Sequence, residues 1–494
     1  MDDVKHPVGA GGRVEAVLPR HRDLYYDGKW QKPNGGYLDT CNPATGASLG
    51  PCAEANAADV DAAVQAAHRA FKQWRRMKPL ERAALMRQVA AKLRENAEDL
   101  AMLDAANCGN PVREMVRDVT VAAATIDFFA GLVTEVKGET LPMGEGVVNL
   151  SVREPFGVCA RIVAYNHPIM FTAGKAGPAL AAGNTVIMKP PYQAPLSAYR
   201  MMELVDGILP PGVLNILTCG KEGSEALVAH PLVPRVSLIG SVPTGRAIAR
   251  AAAERLKHVT LELGGKNACI IYPDADLEKA ARGAVNGMNF TWCGQSCGST
   301  SRLFVHESVY DRVMDGVMKQ VKGYKPGIPT EPDTTMGAIV SRVQMEKILS
   351  YIEIGKKEGA TLAYGGKRPD DPKLAGGFFV EPTVFTNVTQ KMRIASEEIF
   401  GPVLSVLKWK DEEEMFEQVN SVEYGLTGSV WTTNLATAHR AAGRIESGFI
   451  WVNGAGPHFL GVSFGGYKQS GIGREESLEE LLSFTQSKNI NITL

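Results

Sequence analysis

At 494 residues, with 45% hydrophobic and 22% charged side chains, the chain is too long for one core and has the make-up of a folded protein of two or more domains. Its 53 Lys and Arg balance 54 Asp and Glu, so no global charge favours nucleic acid or an anionic membrane surface as a partner. Eight cysteines without paired spacing argue against a disulfide framework. With no apolar core in MDDVKHPVGAGG and no apolar run long enough to span a bilayer, the reading is a cytoplasmic protein.

In chain order, residues 1–22 are Gly-rich and charged and read as a loose arm. From Ala58 to Asn107 apolar residues recur at helical spacing in two blocks broken at Pro79, which predicts two amphipathic helices. Glu139 to Pro155 reads as a hairpin around Gly144-Glu145-Gly146. Apolar runs at 157–166, 184–190, 212–219, 235–240 and 258–263 alternate with helical patterns, the beat of a parallel sheet covered by helices. A second series runs from Lys266 to Asn453 and includes strands at 402–409, 429–434 and 448–453. The fold class expected is therefore α/β with two parallel-sheet domains. The tail, Ser483 to Leu494, alternates like a strand with nothing after it to pair with, a liability that proteins usually cover.

Chemistry concentrates in NFTWCGQSCGSTSR, residues 289–302. Cys297 lies just past Gly294-Gln295 in a polar loop, between a predicted helix (274–290) and the strand-like Leu303-Phe304-Val305. A cysteine is more often a small buried hydrophobe than a nucleophile, so its company decides. In HVTLELGGKNA, Glu262 closes an alternating strand just before two glycines. In ARIVAYNHPIMF, Asn166 ends an apolar strand; in ASEEIFGPVLSV, Glu398 precedes Phe400-Gly401-Pro402; FGGYKQSGIGRE follows near the C-terminus. Cys293 and Cys297 are four apart, but no CxxC or nearby His pair completes a metal site, and none is expected.

Together and in this order, from about Tyr25 to about Asn489, these segments resemble the aldehyde dehydrogenase superfamily. The resemblance implies a Rossmann-like cofactor domain (23–137 and 156–263), a catalytic domain (264–465), and a small β element (138–155 and 480–494) that bridges subunits of a homodimer or homotetramer. It implies Cys297 as nucleophile rather than Cys293, which precedes the Gly-Gln pair. Asn166 and the Cys297 backbone N–H would hold the oxyanion, Glu262 would be the general base, and Glu475 would assist proton exit.

No GxGxxG follows a strand. Instead the strand RVSLIG leads through Ser241-Val242-Pro243-Thr244-Gly245 into a predicted helix at 246–256, which aims free N–H groups beyond the strand end. By resemblance, Gly240 and Ser241 approach a dinucleotide pyrophosphate, Lys189 and Gly220 belong to the same site, and Glu398 holds the nicotinamide ribose beside Phe400. Position 192, where NAD-preferring relatives often carry a glutamate, is Tyr192. That removes a hydroxyl acceptor and a repulsion against a 2′-phosphate, so NAD and NADP both stay open. With no arginine near Lys189 on the strand side, the reading leans to NAD.

Tyr165 and His167 bracket Asn166, and with Met170, Trp292 and Phe459 they are candidate pocket walls. This aromatic, mostly neutral lining suits a flat apolar aldehyde. A semialdehyde is the second substrate reading, since His167 and His458 could reach a carboxylate. A cysteine-dependent esterase or thioesterase without redox chemistry, and a catalytically silent member, are the competing functions.

Overall fold

The computed structural model describes residues 10–494. Its first sheet is built on five parallel strands in the order Leu214–Ile216, Thr185–Lys189, Val158–Ile162, Arg235–Ile239, His258–Glu262. The first four of these are buried at every residue, as expected of strands covered on both faces. The order reverses between Val158–Ile162 and Arg235–Ile239, and in such sheets ligands bind beyond the carboxyl ends at that reversal. An antiparallel hairpin, Leu24–Tyr26 with Lys29–Gln31, extends one edge. At the other edge Gly471–Ile472 pairs antiparallel with Leu261–Glu262. Gly471 has φ +155, and a Cβ there would lie 2.2 Å from the Leu261 carbonyl oxygen, so only glycine brings the C-terminal segment this close to Glu262.

The second sheet runs Thr361–Tyr364, Thr383–Thr386, Val403–Trp409, Arg302–His306, Ala268–Ile271, Thr427–Trp431, Phe449–Val452. It is parallel except at the Thr361–Tyr364 edge. The α/β reading with two parallel sheets therefore holds.

Several boundaries differ from the sequence reading. The segment 58–107 forms three helices, Ala57–Trp74, Pro79–Glu95 and Ala97–Cys108, because Asn96 interrupts the second block as Pro79 opens it. Within the arm, Ala10–Val17 is helical; residues 1–9 lie outside the described residues. The helix expected at 246–256 starts at Val242, since Ser241 caps it and Pro243 suits a first turn, where a missing N–H costs nothing. The helix expected at 274–290 spans Leu277–Gly287, with a separate turn at Phe290–Trp292. The strand expected at 429–434 is Thr427–Trp431. The tail does have a partner: Thr485–Thr493 pairs antiparallel with Val147–Pro155, whose other side holds Thr140–Pro142. Among the described residues no helix is long and apolar enough to cross a membrane.

Candidate active site

A cavity of about 220 Å³ opens at the strand-order reversal. Its lining includes Tyr165 and Asn166 past one strand, Gly240 and Ser241 past its neighbour, and Glu262, Cys297, Glu398 and Phe400 from elsewhere in the chain. Residues from Ala164 to Phe400 thus share one wall.

The Cys297 loop is held by side-chain amides. Gln295 Oε1 accepts the Val340 N–H at 3.1 Å, and its Nε2 donates to the Ala338 carbonyl at 3.4 Å. Asn267 Nδ2 donates to the carbonyls of Cys297 (2.7 Å) and Ser299 (3.0 Å), while its Oδ1 accepts the Thr427 N–H from the second sheet. The Cys297 thiol is pushed well above the usual range, by burial first and then by the charges of Glu262 and Glu398. It therefore needs a base to become a nucleophile. Cys293, by contrast, is buried in the core of the second sheet, and burial raises its thiol too.

Glu262 ends its strand with 4% of its surface exposed and with Oε1 unpartnered. Burial pushes this carboxyl far up, the neighbouring Glu475 adds to the shift, and Lys175 opposes it. A carboxylic acid so placed takes up a proton readily, as a general base must. Glu475 is itself buried, with Lys175 Nζ at 2.8 Å and the Arg161 guanidinium at 3.5 Å; Arg161 also reaches Glu480 at 3.2 Å.

Asn166 is fixed by the helical layer rather than by its own sheet. Asn110 Nδ2 donates to its carbonyl at 2.7 Å, and Asp104 accepts the Ile169 N–H at 2.9 Å, anchoring the helix that follows. The Asn166 side-chain oxygen has no protein partner. Next to it, His167 Nδ1 lies 2.7 Å from Asp118 and its ring stands edge-on to Trp292, with centroids 4.9 Å apart. Tyr165 stands edge-on to Phe400 at 5.9 Å. His167, Met170 and Trp292 lie outside the immediate lining; Met170 packs against the helical core, and Phe459 stands 60% exposed on its loop. His458, beside it, joins the rings of Phe449 and Phe464 instead.

On the side toward Ser241, the Ser241 hydroxyl caps its helix by accepting the Thr244 N–H at 3.4 Å, a long contact that leaves the first-turn donors available. Glu398 accepts the Gly265 N–H at 3.0 Å. Its carboxylate sits where a Cβ on Gly264 would fall, 2.1 Å away. Phe400 is held at φ +56, its carbonyl accepting from Gln344 Nε2 at 2.8 Å. Lys189 is buried at its strand end, and the exposed ring of Tyr192 lies 5.8 Å from its Nζ. Gly220 donates its N–H to Glu54 at 2.7 Å. These three stand apart from the lining of the central cavity.

Sequence reasoning passed over Gln344 and Lys347, which line the cavity three apart on one face of the Arg342–Lys357 helix. It also passed over Glu54, whose charge acts on Lys189, and over Lys175, Asn110, Asp104 and Asp118. The i, i+3 spacing was the one signal available for the first pair; the others carry no motif.

Residues 30–490 match the model of the aldehyde dehydrogenase family. The chain belongs to that family. It is 51% identical over 489 residues to the aldehyde dehydrogenase tropH of Talaromyces stipitatus, covering 97% of this chain and 95% of that one. It superposes on the NAD+ complex of an aldehyde dehydrogenase from Bacillus cereus with TM-score 0.94 at 40% identity, covering 98% of each chain. An indole-3-acetaldehyde dehydrogenase complexed with NAD+ gives TM-score 0.95 at 37% identity over 98% of this chain and 99% of that one. As an aldehyde dehydrogenase the protein is an oxidoreductase that oxidises aldehydes.

Proposed function

We propose that the protein oxidises an aromatic or apolar aldehyde to its carboxylic acid through covalent intermediates on Cys297, with NAD as the preferred cofactor. The observation that carries this reading is the single cavity at the sheet's reversal, where Cys297, Glu262 and Asn166 meet Gly240, Ser241, Glu398 and Phe400.

The residues present fit a nicotinamide dinucleotide. The capped helix start at Ser241 offers N–H groups to a pyrophosphate, Lys189 lies at the end of a strand two places along the same sheet, and the Glu398 carboxylate against the Gly264-Gly265 turn offers an acceptor to a ribose. When bound, that group accepts the hydride. Everything else falls to the chain itself. Cys297 gives its proton to Glu262 and adds through Sγ to the aldehyde carbon, making a thiohemiacetal. The Asn166 amide and the Cys297 N–H carry the negative oxygen. Loss of hydride leaves a thioester on Sγ. Glu262, its first proton passed on to solvent, then takes a proton from water as the water oxygen attacks; the C–S bond breaks, the acid leaves and Sγ remains as the thiolate.

The aromatic rings around Asn166 favour a flat substrate, and the B. cereus and indole-3-acetaldehyde relatives are solved with NAD+. A panel of aldehydes offered with NAD and with NADP, read by absorbance of the reduced nicotinamide, tests this. Turnover with aromatic aldehydes is expected; acyl-ester hydrolysis without any reduced cofactor would establish the esterase reading instead. With Tyr192 in place of a carboxylate, discrimination between the cofactors is expected to be weak, and Tyr192→Glu to sharpen it toward NAD. The semialdehyde reading draws on His167, whose ring is held by Asp118 next to Asn166. The exposed strand Thr485–Thr493 supports a homodimer or homotetramer, since an uncovered strand edge invites a second copy.

A further inference from the structure

Glu476 is an anomaly. It is a non-glycine residue held at φ +68, its N–H donated to Glu480 at 2.8 Å and its carbonyl accepting the Gly461 N–H at 2.8 Å. Such a backbone costs a glutamate of the order of 1 kcal/mol or more, and strain of this kind gathers at functional sites. Its side chain faces two ways. One oxygen lies 3.9 Å from Lys175 Nζ, and both lie within 3.3 Å of His458 Nδ1. Lys175 continues inward to Glu475 at 2.8 Å, and Glu475 acts by its charge on Glu262. Side-chain exposure falls steadily along this line: 35% at His458, 19% at Glu476, 8% at Lys175 and 3% at Glu475. The line of contacts therefore runs from a half-exposed imidazole to Glu475, whose charge reaches the buried base.

We infer that His458 and Glu476 form the outer end of a proton line that empties Glu262 during hydrolysis of the thioester. The inference rests on the covalent reading above. Neither residue touches the reacting atoms; both act through Lys175 and Glu475. When water attacks, its O–H bond breaks and the proton passes to Glu262, then to Glu475. Lys175 takes that proton while giving one of its own to Glu476, and His458 takes it from Glu476 and releases it to solvent. Each step forms one O–H or N–H bond and breaks another, and no electrons are exchanged.

The charged groups facing this line are few. Arg161 and Lys175 face Glu475; Glu475, Glu476 and Glu480 face Lys175; Glu475, Glu476, Lys175 and Arg474 act on Glu262. His458 has Glu476 as its charged neighbour and is otherwise enclosed by Phe449, Trp451 and Phe464. Burial alone would push Glu476 up, yet His458 and Lys175 together hold it below the usual carboxylate range, so it is a charged acceptor at rest.

The test uses the full chain without nicotinamide. An activated ester such as 4-nitrophenyl acetate acylates Cys297, and rapid-quench mass spectrometry follows loss of the acyl group in the wild type, Glu476→Gln and His458→Phe, the last keeping an aromatic ring. Acylation is expected to be unchanged and deacylation slowed about 10-fold in Glu476→Gln, less than the ~100-fold or more of losing a direct base. In His458→Phe deacylation should slow by a similar factor, and added imidazole should restore it. Unchanged deacylation rate in both variants would overturn the line. So would acylation and deacylation falling together with a lowered melting temperature, which would make the pair a loop clasp. Absence of any acyl adduct on the wild type would instead sink the covalent reading beneath it.

Discussion

Two walls meet at Asn166 and are built in opposite ways. The wall carrying Cys297 and Glu262 is tied into the two sheets: Glu262 is the last residue of a paired strand, and the Asn267 side chain, which also grips the second sheet at Thr427, holds the Cys297 carbonyl. The wall carrying His167 and Trp292 is held by side chains reaching in from the helical layer, Asp118 to the imidazole, Asp104 to Ile169 and Asn110 to the Asn166 carbonyl. A group tied into a sheet keeps its place when most of its neighbours change, whereas a group held by side chains from a separate layer moves when any partner changes. The first wall suits chemistry that must not vary, and the second suits a pocket that differs from one substrate to another.

The comparison would break first at the nucleophile. Cys297→Ala should lower aldehyde oxidation on the order of 10⁴- to 10⁶-fold, the scale of losing a nucleophile, while nicotinamide binding measured by fluorescence titration stays near wild type. Cys293→Ala, emptying a packed core site outside the cavity lining, should cost stability and leave turnover largely intact. The reverse pattern would exchange their roles.

Glu262→Gln comes next, with turnover expected down about 100- to 10⁴-fold and an acyl-enzyme visible by intact-protein mass spectrometry. Burial holds the Glu262 acid far above the usual range, so wild-type hydrolysis should rise with pH as that acid ionises, and the glutamine variant should lose this limb. Removing the carboxylate also removes the second-largest influence raising the Cys297 thiol, so alkylation of Cys297 by iodoacetamide should reach its plateau at lower pH. An unchanged pH profile of hydrolysis would argue for another base. Asn166→Ala, at the junction of the walls, should cost about 100- to 1000-fold in kcat with a smaller change in KM. A change confined to KM would make Asn166 a binding group only.

What was legible beforehand follows the same division. Strand ends and glycine turns leave local marks, so Glu262 before Gly264-Gly265, Asn166 after its apolar run and Cys297 after Gly294-Gln295 could be picked out from residues alone. The strands were placed to within a few residues because they are buried on both faces and read as continuous apolar runs. Asp104, Asn110 and Asp118 were invisible. Asp104 and Asp118 lie on helices whose periodicity accounts for them as ordinary polar positions, Asn110 lies in the short connection between those helices, and only tertiary packing turns them toward residues 166–169. Phe459 shows the converse. An aromatic in a loop before FGGYK reads as a wall, yet it is the neighbouring His458 that turns in, anchored by a carboxylate at Glu476 whose backbone conformation no sequence pattern announces.

The side-chain-held wall should also carry a pH signature in stability. Burial pushes the Asp104 carboxyl up from 3.8 to about 7, with the Ile169 N–H and His167 opposing and Asp118 reinforcing. Between those values the folded protein keeps a proton that the unfolded chain has released, so stability contributed there is present at low pH and is lost as pH rises through the folded value. Chemical denaturation across that window should show wild type losing stability relative to Asp104→Asn as pH increases. Parallel curves would mean the group does not titrate as its burial requires.

The smallest effect expected separates the walls most cleanly. His167→Phe keeps a ring edge-on to Trp292 and removes the polar edge that Asp118 orients. If that wall sets substrate choice and not chemistry, acyl-enzyme hydrolysis should be unchanged, because Glu262 and its neighbours are untouched. The ratio of kcat/KM for an aldehyde bearing a carboxylate or hydroxyl to that for its apolar analogue should then fall by about 5- to 20-fold, the scale of one hydrogen bond of about 1–2 kcal/mol. Asp118→Asn, which keeps the imidazole but changes its partner, should move the same ratio by less. Were hydrolysis to slow in His167→Phe while the ratio held constant, His167 would belong with Asn166 on the chemical wall, and the division between sheet-held chemistry and recognition held from the helical layer would have to be redrawn one residue further along the chain.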